Sequence, residues 1–179
     1  MANINAPIGL WPVRHLTGGE IRTRRYKVRS GMTIFRGDPV VADPAGVVSV
    51  APAAPGPALV GIAAEHVVGV VSTTWVGLSD ILVYDDPFIV FGCQSDSSGS
   101  IAEADIFMNA QFRVGAGSAT TRLSGYELDR ASLSTLATHP LRVIGLCDTR
   151  DPRNAWGLHT DLEVLLNVHL YKSGGTIGI

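Results

Sequence analysis

"LHTDLEVLLNVHLY", residues 158–171, decides the fold class. Leu162, Val164, Leu166, Val168 and Leu170 are apolar at every second position. Asp161, Glu163, Asn167 and His169 alternate with them, and Leu165 alone breaks the pattern. A period of two puts one set of side chains on each face of a pleated strand, so this stretch predicts a long half-buried β-strand.

Working outward, the same signature recurs. "HPLRVIGLCD" (139–148) is a second strand, and "TRDPRNAWG" (149–157) is a turn-containing connection between the two. Upstream lie "DPVVAD", "GVVSVA", "ALVGIAA", "HVVGVVSTTWV", "DILVYD" and "PFIVFGCQ", rich in Val and Ile and bounded by Gly, Pro, Asp and Ser. Such runs read as short strands closed by turns. "EIRTRRYKVR" (20–29) reads as a strand with two fairly polar faces, and "PAAPGP" (52–57) as a stiff connector. "ELDRASLSTLATH" (127–139) places its leucines poorly for a helical period. The prediction is an all-β chain, a single compact β-sandwich or barrel-like domain with an extended N-terminal arm. The arm spans 1–19 and the β-rich body 20–179. Pro7, Gly9, Pro12, Gly18 and Gly19 break regular structure in the arm, which extended would reach about 60 Å. Its Ile8, Leu10, Trp11, Val13 and Leu16 call for burial, on the chain's own body or on a neighbour.

Composition narrows the function classes. Of 179 residues, 46% are hydrophobic and only 17% charged, too apolar for a disordered chain and poor in charge for a fully solvated surface. No apolar run is long enough to predict a membrane span, and the opening residues lack the pattern of a signal peptide. The net charge of −2 hides a split, with an excess of six positive charges in residues 1–36 and of eight negative charges after them. Cys93 and Cys147 lie in apolar runs and read as buried thiols.

Motifs for chemistry are weak. There is no CxxC, HExxH or P-loop lysine, and "GAGSAT" (115–120) reads as a hairpin loop, so no cofactor or metal is expected. Asp85 and Asp86 in "YDDPF" read as a strand break. Glu127 and Asp129 are a carboxylate pair without a context that assigns them a reaction. The expectation is a protein that is not an enzyme. The cationic strip of residues 22–29 suggests phosphate contacts at first. However, the acidic body would repel a nucleic-acid backbone, and a strand spreads these charges over both faces. An acidic protein surface is the better partner.

"MANINAPIGLWPVRHLTGG" resembles the opening of a family of small tailed-bacteriophage head proteins, which begin like Met-Ala-Asn-x-Asn-Ala-Pro-x-Gly-Leu-x-Pro-Val-Arg-His. The resemblance continues through "FRGDPVV", "VYDDPFIVFGCQ", "RLSGYELD", "LRVIGLCDTRDPRNAWG" and "VLLNVHLY", and so covers most of the chain. It departs at Trp11, where the family often has Arg, and in the more basic "RTRRYKVR". The resemblance implies a capsid decoration, or cement, protein. Such a protein binds the outer surface of the major capsid protein shell as a dimer or trimer and bridges neighbouring capsomers. The expected contacts are Leu10, Trp11, Arg14, His15, Arg22, Arg24 and Arg25, and an arm of this kind would be removable without unfolding the body. Three other readings stay open: another phage head or tail component, a small β-barrel ligand-binding module, and a hydrolase using Glu127 and Asp129.

Overall fold

A computed structural model describes residues 3–53 and 58–172. Among these residues thirteen strands follow in chain order: β1 (Trp11–His15), β2 (Arg24–Lys27), β3 (Thr33–Ile34), β4 (Pro39–Asp43), β5 (Val47–Val50), β6 (Leu59–Ala63), β7 (Val67–Val68), β8 (Asp80–Tyr84), β9 (Ile89–Gln94), β10 (Asn109–Arg113), β11 (Glu127–Ser134), β12 (Leu141–Leu146) and β13 (Asp161–Leu166). The chain is nearly all β, as its periodicity predicts. Most of the connector 52–57 lies outside the described residues.

The strands form two main antiparallel sheets. The larger runs β1-β9-β13-β12-β10-β11, the smaller β2-β8-β6-β4-β5, and β3 with β7 makes a short ribbon. Both main sheets curl. In the smaller, Val28 bridges Val48 just beyond β2, which brings the two edge strands together as a small barrel. Val28, Val40, Val48, Val60, Ile81 and Val83 fill its interior, compact and mostly β-branched side chains suited to a narrow five-stranded closure. In the larger sheet, Ser95 bridges Leu128 and draws the end of β9 against β11. The main core lies between the two, where Val41, Leu59 and Ile62 of the smaller sheet meet Phe91, Leu128, Leu141, Val164 and Leu166 of the larger. β6 is buried throughout because it packs both into the barrel and onto the larger sheet, which explains its unbroken apolar run.

Three expectations need correction. The terminal strand stops at Leu166, where the alternation changes phase: Asn167 and His169 turn inward and Leu170 turns out. The cause is a bend in which Asn167 donates its side-chain amide to the carbonyls of Ala137 and His139. The chain then crosses to the other sheet, with Leu59 N–H donating to Val168 O and Leu170 N–H to Leu59 O. Of "HVVGVVSTTWV" only Val67–Val68 is strand; the rest is a loop with a single 3-10 turn at Trp75–Gly77. Of "EIRTRRYKVR" only Arg24–Lys27 is strand.

The segment expected to be an extended arm lies along the body. β1 pairs antiparallel with Ile89–Gly92 of β9, the part of that edge not covered by the closure onto β11. Pro12 is compatible with a strand here because β1 is an edge and no partner needs its missing N–H. Leu10 is 2% exposed and belongs to the main core. Gly9, at φ +74°, sits against Gly37 O and the Ser124 side chain, where a Cβ would collide with both. That positive φ lets the chain turn Leu10 inward, with Leu10 N–H donating to Gly37 O at 3.0 Å. The boundary at residue 19 therefore separates no structural unit.

Candidate functional site

The four expected contacts at the start of the chain are occupied by the chain itself. Leu10 is in the core. The Trp11 indole lies over Gly92, its partner in the β1–β9 register, at a place where any Cβ would strike the ring. The Arg150 guanidinium stacks over that ring with its centre 5.0 Å from the centroid. Arg14 grips Glu163 with two hydrogen bonds, the shorter 2.8 Å. His15 Nε2 faces Asp86 Oδ2 at 3.1 Å, and its Nδ1 accepts from Gly19 N–H at 3.1 Å. These residues tie the leader down rather than offering it to a partner.

The cationic strip is also paired. Arg22 meets Glu20, Arg24 meets Asp85, Arg25 and Lys27 share Asp80, and Arg29 meets Asp43. Five cations thus face four acids, so the strip carries little net charge. The sequence split in charge does not survive folding as a basic surface, because folding brings Asp43 from the end of β4, Asp80 from β8 and Asp85 from the turn after β8 beside the strip.

What remains free around Arg22 and Arg24 is a mixed surface. Arg24 lies over the Tyr171 ring at 5.9 Å, and its Nε is 3.2 Å from Asp85. The Tyr26 hydroxyl donates to Asp85 at 2.6 Å and so accepts from the Tyr171 hydroxyl at 2.9 Å. Burial and these partners push the Tyr26 phenol up, which keeps it protonated as the donor to Asp85. Phe88 is about half exposed, as are Tyr171 and Leu16, and Leu16 N–H donates to Phe88 O at 2.8 Å. Arg22, Arg24, Asp85, Asp86, Phe88 and Tyr171 line a shallow hollow of about 390 Å³. Arginine and tyrosine beside a pocket are the composition of protein-interface anchors. Sequence reasoning found Arg22 and Arg24 but missed Phe88 and Tyr171. The only local signal was the Asp-Asp-Pro break: Asp86 accepts from Phe88 N–H at 2.8 Å, and that turn presents the ring.

Behind this surface His169 is 1% exposed and accepts from Tyr171 N–H at its Nδ1. Burial, followed by the Lys172 charge, lowers its pKa from 6.5 to about 4. The unfolded chain therefore takes up a proton at this site between pH 6.5 and pH 4 and the folded chain does not. Its stabilising contribution is complete above pH 6.5, falls as the pH drops through that window, and changes no further below it. Thermal denaturation across pH 4–7 should show His169→Gln losing less stability on acidification than the wild type. Equal slopes for the two proteins would contradict this.

The other candidates stay apart from this surface. Burial and Asp96 raise Glu127, which lies near Arg113 and His159, whereas Asp129 accepts from Ala131 N–H within a bulge of β11. Cys93 and Cys147 are free and buried, and burial pushes both thiols up. Among the described residues no group of three His, Cys, Asp or Glu side chains is placed to hold a metal. No helix in the described residues is long and apolar enough to cross a membrane. Set against protein-family models, curated proteins and solved structures, the chain matches none.

Proposed function

We propose that this chain is a structural protein of tailed-phage heads, which binds the outer surface of the major capsid shell, bridges capsomers and stabilises the expanded, DNA-filled head. The resemblance of its opening and of most later segments to head decoration proteins supports the class. The observation that carries the docking surface is the Arg24–Tyr171 stack beside half-exposed Phe88 and Leu16. A protein that binds only the expanded lattice shifts the shell toward that state by mass action, and contact with two capsomers raises its effective affinity. The β1 latch serves this role by holding Leu16 and the 85–88 turn in place rather than by reaching across the shell. The small barrel is filled by its own valine and isoleucine side chains, which leaves no observation in favour of a ligand-binding barrel.

The test is decoration of purified expanded heads, read as protein co-sedimenting with the particles. Truncating an interface anchor costs about 2 kcal/mol or more, roughly a thirtyfold loss of affinity. Tyr171→Ala and Arg24→Ala should each approach that loss with their folding intact. Because the strip cations are already paired, rising salt should reduce occupancy only modestly. Undiminished decoration by both variants would reject this surface, and a failure of the wild type to bind any head would reject the capsid reading itself.

A further inference from the structure

A second surface lies away from the Arg–aromatic hollow. Residues 67–79, "VVGVVSTTWVGLS", contain no charged side chain. Five large apolar residues project from them: Val68 is 67% exposed, Val70 56%, Val71 83%, Trp75 52% and Val76 88%. Together they show on the order of 500 Å² of apolar surface, the upper range of what a monomer ordinarily leaves uncovered. Beside them Trp75 and Leu78 wall a groove of about 350 Å³ with Val47, and the Arg29–Asp43 pair lies at its rim.

The loop backbone is firmly held. Gly69 N–H donates to Met32 O and Gly31 N–H to Val70 O, which extends the β3–β7 ribbon. Val70 N–H donates to Ser79 Oγ, Ser72 N–H to Ser30 Oγ and Thr74 N–H to Ser72 Oγ. Apolar side chains on a backbone already ordered lose little entropy when a partner covers them.

We propose that this loop is the contact through which two copies of the chain pair about a two-fold axis. A two-fold contact sets a patch against itself, so a patch without charge meets its copy with no charge to desolvate or repel. A charge-free loop meets that condition, and the Arg–aromatic hollow does not. The exposed area is more than half of the roughly 800 Å² that each partner contributes to a standard interface, and the Arg29–Asp43 rim enlarges it with groups of both signs. An anionic lipid surface fits less well, because the loop carries no Lys or Arg to meet the headgroups and the neighbouring Arg29 is already paired with Asp43. This inference does not rest on the capsid reading.

Multi-angle light scattering on the purified full chain, from low micromolar to near-millimolar concentration, tests it. The wild-type mass should rise from 18.9 kDa to twice that. Val71→Asp/Val76→Asp should remain at the single-chain mass with an unchanged circular dichroism spectrum. Val71→Ser/Val76→Ser, which adds no charge, should shift the transition to higher concentration. A wild type that stays single throughout, or a doubled mass that both variants retain, overturns the proposal. So does a single-chain wild type that floats with phosphatidylserine vesicles, which reassigns the loop to lipid.

Discussion

Deleting residues 3–16 is expected to leave a chain that does not hold its fold. Leu10 would vacate the main core, and Ile89–Gly92 of β9 would become an open edge. The deletion also removes the hydrogen bonds of Asn3 to the carbonyls of Ala155 and Leu158, of Ala6 to Gln94 and Arg150, and of Leu10 to Gly37. Leu10→Ala alone should cost about 2–5 kcal/mol, because a fully buried leucine leaves both lost transfer energy and a cavity. Whole-domain stability is typically about 5–15 kcal/mol, so losing the complete segment removes a large part of it. An unpaired edge beside apolar β9 would also promote aggregation. Denaturant titration of Leu10→Ala and solubility of the truncated chain check this. A soluble truncated body with the wild-type midpoint would restore the free-arm expectation.

The second large effect is expected at Asp161. Its side chain is 4% exposed and accepts two hydrogen bonds from Arg150, at 2.9 and 2.8 Å, and one from Gln94 at 2.9 Å. The same two residues hold the leader: Arg150 donates to Ala6 O at 2.7 Å and Gln94 to Ile4 O at 3.1 Å. Burial pushes the Asp161 carboxyl up despite the attraction of Arg150, so removal from water outweighs the pairing. The network is therefore a positioning device more than a source of net stability. Losing one partner is what costs, at about 3–5 kcal/mol for a buried pair. Asp161→Ala should fall near the lower end, since Arg150 keeps some contact with water. Arg150→Met/Asp161→Leu should cost less than Asp161→Ala. A double variant at least as unstable as the single one would show that the pair itself holds the fold.

These two sites mark where local reading ended. "LWPVRH" carries two signals against a strand, Pro12 and an irregular pattern, yet it pairs, because the free edge of β9 needs a partner and tolerates proline in one. Asp161 looked like the polar side of an alternating strand. It is buried because Arg150 and Gln94, brought by a turn and by a neighbouring strand, satisfy its oxygens. The basic strip looked like an electrostatic surface, and sequence proximity has no means of showing Asp80 and Asp85 from β8 and its turn beside it. Arg22 and Arg24 were legible as surface cations. Their aromatic companions were not, because Tyr26 and Tyr171 meet across 145 residues.

By itself the amino-acid order determined the β class, most strand cores and the strand character of the last regular segment. Each depends on a two-residue period, which the pleat imposes locally. The tertiary structure alone decided that the leader lies on its own sheet, that the cations find internal acids, and that Phe88 and Tyr171 flank Arg24. Those outcomes follow from how two curled sheets close on each other, which places residues far apart in the chain within hydrogen-bonding distance.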